Sequence, residues 1–103
     1  MAAVSRVLTV TQGNLDNSHL YLTEVLDLFP ADVFGRPDAS RAAPQTVRVH
    51  WGDEVVETDI DQAKNIFRKR GWIARFFDAN RIQAGDRVLL EQIEPYQYRV
   101  SKA

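Results

Sequence analysis

The residues best equipped for chemistry in this sequence are two imidazoles, a group of carboxylates and a run of cations. His19 stands beside a polar stretch and His50 inside an alternating segment, with neither at metal-ligand spacing from a second His and no Cys in the chain to complete a site. The five glycines are scattered singly, so there is neither a phosphate-cradling loop nor a dinucleotide fingerprint. Asp53, Glu54, Glu57, Asp59 and Asp61 could hold a hard cation or serve as an acid and base. Strand alternation sets Glu57, Asp59 and Asp61 on one face with no apolar wall around them, and a solvated strand face is expected. This inventory points away from an enzyme and implies no cofactor and no metal.

The cations say more. Between Gln62 and Phe77 lie Lys64, Arg68, Lys69, Arg70 and Arg75 without one acid among them, inside a chain whose formal charge is -1 at pH 7. Formal charge is -2 over residues 1–30, -3 over 31–64 and +4 over 65–103. Ten of the thirteen cations are arginine, whose planar fork suits phosphate and guanine. A polyanion contact along this run is therefore weighed against a merely solvated face.

These side chains must be placed by a single domain, since 103 residues with 45% hydrophobic and 26% charged content build one core. The opening MAAVSRVLTV has no basic stretch followed by an apolar one, and no apolar run approaches the ~18 residues of a membrane span. A cytoplasmic protein with no membrane partner is expected.

Val4 to Val10 reads as a strand, Thr11 to Ser18 as a polar loop, and His19 to Leu22 as a short extended piece. Thr23 is placed to cap a brief helix that ends at Phe29 and Pro30. Gly35 to Gln45, with two prolines, reads as an exposed loop. Thr46–Trp51 and Glu54–Ile60 alternate around WGDE as a hairpin. Asp61 to Lys64 is a polar connection and Asn65 to Lys69 a further short strand, on which Arg68 and Arg70 would share a face. Trp72, Ile73, Phe76 and Phe77 define one face of a helix from about Trp72 to Ala79, which packs its aromatics inward. Ile82 to Asp86 form a tight loop into a strand over Arg87–Ile93, and EPYQ leads to a last strand, Tyr98–Ser101. Trp51, Tyr96 and Tyr98 are open to either a rim or a contact role, including a small-ligand or modified-base pocket. The pattern predicts a mainly β domain, a small barrel or barrel-like sheet with short helices at the connections.

The stretch GWIARFFDANRIQAGDRVLLEQ, Gly71 to Gln92, resembles the most recognisable segment of the plant B3-type DNA-binding domain. Gly71, Trp72, Phe76, Ile82, Gly85, Asp86, Val88 and Leu89 occupy that family's Gly-Trp helix, Gly-Asp loop and apolar strand. The helix ending in Phe29-Pro30 and the hairpin over Val47–Ile60 match its order of elements across about 90 residues. The same fold is known in DNA-recognition domains of some bacterial restriction endonucleases, and a bacterial member fits this chain. The resemblance implies a seven-stranded open pseudobarrel flanked by two short helices, in which two loops grip the major groove of double-stranded DNA. The N-arm would be residues 11–19, with Gln12, Asn14, Asn17 and His19. The C-arm would be residues 60–65, with Gln62, Lys64 and Asn65, and Arg68 and Arg70 would position the backbone. Side-chain amides suit adenine edges and the cations suit phosphate or guanine. Many plant members carry several arginines in the C-arm, whereas this chain has Asp59, Asp61, Gln62, Ala63 and Lys64. A DNA-binding role would make the protein nucleoid-associated. The near-neutral charge, the acidic 53–61 segment and the proline-rich 35–45 loop support a different reading, a protein-interaction module on the same scaffold with a protein partner.

Overall fold

The computed structural model describes residues 4–36 and 42–103. In chain order it forms β1 (Val4–Thr9), α1 (Gln12–Asn17), two 3₁₀ turns (Thr23–Leu28 and Ala31–Val33), β2 (Phe34–Gly35), β3 (Val47–Trp51) and β4 (Glu54–Thr58). These are followed by β5 (Ile60–Asp61), β6 (Ile66–Phe67), α2 (Gly71–Ala79), β7 (Arg87–Glu94) and β8 (Gln97–Lys102). The strands make two sheets: a five-stranded one in the order β1-β7-β8-β3-β4 and a three-stranded one in the order β2-β5-β6. The domain is mainly β, as its sequence pattern requires. The described residues hold eight strands in two sheets and close no barrel; the resemblance implied seven strands in an open pseudobarrel.

Alternation builds the large sheet. Val47, Val49 and Trp51 of β3 point inward while Arg48 points out, and on β8 Tyr98 and Val100 are buried beside exposed Arg99. The β3–β4 hairpin turns through Gly52 and Asp53, and Gly52 has the positive φ of 55° that the first position of such a two-residue turn demands. β8 pairs antiparallel with β7 and parallel with β3. The buried face of α2 is the one its spacing predicts, with Trp72, Ile73, Phe76 and Phe77 all nearly inaccessible. Trp72 stacks on Trp51 with ring centroids 6.4 Å apart and meets Phe67 at 5.8 Å, so the helix joins the large sheet to the small one. Tyr98 is fully buried, and its hydroxyl donates to the Leu28 carbonyl at 2.6 Å. Burial pushes that hydroxyl up to about 12. Trp51 and Tyr98 are thus core residues; Tyr96 is half-buried, its hydroxyl donating to the Asp32 carboxylate at 2.8 Å.

Several local expectations are corrected. Thr11–Ser18 is not a loop, because Thr11 and Asn14 form a reciprocal cap that nucleates α1. The turn over Thr23–Leu28 is 3₁₀ with a kink at Val25, and Thr23 does not cap it. The second strand of the hairpin does not run to Ile60: it ends at Thr58, and after Asp59 the chain enters the other sheet. Asp59 and Asp61 are therefore buried rather than on a solvated face. Of the predicted 35–45 loop, Gly35 belongs to β2 and residues 37–41 lie outside the described residues.

Gly35 sits where the small sheet meets that crossing. A Cβ there would lie 2.5 Å from the Ala43 amide nitrogen, 2.6 Å from Asp59 Oδ2 and 2.8 Å from Arg68 Nη2. Gly71, the first residue of α2, has open space in the same place. Gly35→Ala is accordingly expected to destabilise the fold by about 1 to 3 kcal/mol. Gly71→Ala should leave stability unchanged or raise it by up to about 1 kcal/mol. Urea melts of the two variants check this, and equal midpoints would contradict the close packing at Gly35.

Candidate nucleic-acid interface

The N-arm is held by its own polar side chains. Thr11 Oγ1 accepts from the Asn14 amide at 3.2 Å while Asn14 Oδ1 accepts from the Thr11 amide at 2.8 Å, and Ser18 ends the helix in the left-handed conformation. Gln12 and Asn17 stand exposed on this short helix, donating to Asp16 Oδ1 at 2.9 Å and to the Gly13 carbonyl at 3.0 Å. These exposed partners can be exchanged for others in water at little cost. Asn14 is different: it is 4% exposed and its oxygen is taken up by the cap.

The C-arm is a tight turn between β5 and β6. Asp61 Oδ1 accepts from the Ala63 amide at 3.0 Å, the Asn65 amide donates to the Asp61 carbonyl at 2.7 Å, and Asn65 has a φ of 56°. With Asp61 turned inward to hold the turn, Gln62, Ala63 and Lys64 form its exposed tip. Asp59 and Asp61, which stand where many plant members carry arginines, are thereby withdrawn from the outer surface of the loop.

Asp59 lies behind the turn. Its carboxylate accepts from Arg68 Nε at 2.6 Å, from Arg68 Nη2 at 3.0 Å and from the Ala43 amide at 2.9 Å. Arg68 also donates to the Arg36 carbonyl at 2.5 Å. Burial pushes the Asp59 carboxyl up, but the hydrogen bonds and charge of Arg68 and the Ala43 amide outweigh it, leaving the group below its ordinary value. Arg68 is thus committed to this carboxylate instead of sharing an outward face with Arg70, because the β6 ladder covers only Ile66–Phe67.

The two arms are neighbours. Tyr21 bridges antiparallel to Ile66, and the Leu22 amide donates to the Asn65 carbonyl at 2.8 Å. This seam brings His19, at the end of the N-arm, against the Arg70 guanidinium, and Lys64 close enough for its charge to act on the imidazole. Burial first, then Arg70 and Lys64, hold His19 below its ordinary value of 6.5. Tyr21 was not singled out by sequence reasoning: it is 47% exposed, and its ring meets His19 edge to face at 5.6 Å. Its alternation against buried Leu20 and Leu22 was the available signal. Beside the N-arm, a cleft of about 440 Å³ is lined by Val7, Leu8, Asn14, Leu20, Tyr21 and Glu24, among others. Among the described residues no group of His, Cys, Asp and Glu could hold a metal ion, and no helix is long and apolar enough to cross a membrane.

No family model matches the sequence, and no curated protein does. Among solved structures, the chain is similar in fold to the N-terminal domain of Helicobacter pylori LlaJI.R1, with a TM-score of 0.59 and 15% sequence identity over 99% of this chain and 87% of that one. At that identity the likeness is one of fold.

Acid should weaken this site in two stages. The unfolded chain protonates its histidine near 6.5 while folded His19 resists, so stability falls as pH drops below 6.5 toward the folded value. The contribution of Asp59 is complete above 3.8 and is lost as pH falls through its lower folded value. Thermal melts from pH 7 to pH 3 are expected to show both declines, with His19→Gln removing the upper one. Asp59→Ala, which removes the buried carboxylate that accepts from Arg68 and from the Ala43 amide, should cost about 3 to 5 kcal/mol at neutral pH. A melting temperature insensitive to Asp59→Ala would show that the pair is not structural.

Proposed function

We propose that this chain is a non-catalytic module that binds double-stranded DNA, with the two sheets acting as an open, B3-like pseudobarrel frame and both arms entering the major groove. The observation that carries this reading is the seam between the arms. It brings His19, at the end of the N-arm, against Arg70 and within reach of the charge of Lys64, with Gln12 and Asn17 exposed on one arm and Gln62 on the other, while Asp61 of the C-arm faces inward. The fold likeness to a domain of LlaJI.R1, a restriction-system protein, supports a DNA-related role. In this reading the exposed amides meet base edges, and Lys64 and Arg70 meet phosphates. Asn14 and Arg68 serve indirectly, Asn14 by capping the N-arm helix and Arg68 by fixing Asp59 beneath the C-arm. Asn65 shapes the turn that presents Gln62 and Lys64.

The protein-interaction reading draws on Val4 and Val7, which are 45% and 49% exposed on the edge strand β1. Duplex binding separates the two. Fluorescence anisotropy with a pool of random-sequence duplexes at low salt is expected to show binding that weakens steeply as salt is added. Lys64→Ala and Arg70→Ala should each flatten the log-log salt dependence by about 0.9 for every phosphate no longer neutralised. With a selected site, Gln12→Ala, Asn17→Ala or Gln62→Ala should lower discrimination by about 1 to 3 kcal/mol for each bidentate base pairing removed. Absence of binding at low salt would transfer the assignment to the protein-interaction reading.

A further inference from the structure

His19 is 8% exposed, yet the charged groups that act on it are both cations: Arg70 from the segment entering α2 and Lys64 from the C-arm. The Tyr21 hydroxyl lies 3.5 Å from its Nδ1. No carboxylate pairs with Lys64 or Arg70 among the described residues. The start of α2 at Arg70 has no side-chain cap and no acid in its first turn, so the positive end of the helix adds to the same field. A guanidinium can only donate, so its contact with His19 Nε2 requires the lone pair there and places the ring proton on Nδ1, toward Tyr21. The imidazole is therefore neutral, with Arg70 against it and the charge of Lys64 acting on it, an arrangement that an anion would complete.

We propose that His19, Lys64 and Arg70 form one seat for a single backbone phosphate at the junction of the two arms, and that filling this seat draws a proton from solvent onto His19. The inference rests on the DNA-binding reading above. A phosphodiester oxygen attracts the Arg70 guanidinium away from Nε2 and cancels the charge that kept a proton off it. Nε2 then takes up a proton and donates to the same phosphate, so that the N-arm, the C-arm and the segment before α2 are joined through one ligand. Binding and protonation are linked, and each strengthens the other.

Two measurements on the full chain test this. The first follows the His19 ring proton by NMR against pH, for the protein alone, with random-sequence duplex, and with inorganic phosphate at the same total phosphate concentration. The midpoint is expected to lie below 6.5 for the free protein, to rise with duplex and to stay in place with inorganic phosphate. A midpoint unmoved by bound duplex overturns the seat, and an equal rise with inorganic phosphate overturns its assignment to the DNA backbone. The second compares duplex affinity from pH 8 to pH 6. Affinity should rise by up to about tenfold per pH unit, the limit for one linked proton. His50→Gln, which removes the other imidazole, should keep that slope, and His19→Gln should bind with a flat profile. Duplex binding that is flat in the unaltered protein, or a slope that survives His19→Gln, overturns the proton linkage and leaves the DNA reading standing. Absence of duplex binding at every pH overturns both.

Discussion

The structure depends on how one buried carboxylate is answered where the chain leaves one sheet for the other. Between β4 and β5 there is a single residue, Asp59, and its oxygens take two hydrogen bonds from Arg68 and one from the Ala43 amide. The backbone tightens the same point, since the Arg68 amide donates to the Asp59 carbonyl at 2.9 Å and the Lys69 amide donates to Thr58 Oγ1 at 3.0 Å. A buried ion pair is a poor source of net stability, because desolvation offsets most of its attraction. Its contribution is positional: with Gly35 packed against it, the pair sets where the small sheet begins, and so where the C-arm projects.

Turning Asp59 and Asp61 inward also withdraws two acids from the surface that the proposed polyanion partner would meet on a chain of net charge -1. What a duplex would meet is the local field at the arms, to which Lys64 and Arg70 contribute positive charge and exposed Asp16 on α1 a negative one, with the acids of the turn engaged by Arg68 and by the Ala63 amide. Total charge sets long-range attraction, whereas a few cations on a shaped rim set where an anion comes to rest. In the DNA-binding reading such a protein would hold its non-specific affinity low while keeping a defined contact surface.

Much of the framework was readable from residue order. The β3–β4 hairpin followed from alternation around Gly52, and the α2 face followed from the spacing of Trp72, Ile73, Phe76 and Phe77. The acidic segment was not readable, because a period of two was carried through Asp59 as if the strand were continuous. A change of sheet leaves no mark in local hydrophobicity when both sides of the break are β-branched. The N-arm shows a different limit. Thr11 and Asn14 stand at capping-box spacing, but Asn14 in place of Glu or Gln, with Gly13 beside it, gave the stretch the look of a loop. Its amides were visible as hydrogen-bonding groups, while the choice between a base and the arm's own backbone was decided by burial. Arg68 was likewise legible as a cation and illegible as the partner of Asp59, since that pairing depends on where β6 ends.

The strand order carries a consequence for how the molecule comes to exist. β8, the last strand in sequence, lies between β7 and β3 in the large sheet. Its parallel pairing sets Arg48 opposite Gln97, so the sheet closes only across a long stretch of intervening chain. During synthesis β3 and β4 emerge before β8, and the β3 edge stays unfilled until β8 has cleared the ribosome. Such non-local pairing slows folding. The backbone pairings between the arms, Tyr21 with Ile66 and Leu22 with Asn65, and the His19–Arg70 contact need only residues 19–70 and can form beforehand, so the order of assembly that the topology favours is arms first and scaffold last, with Tyr98 closing the core.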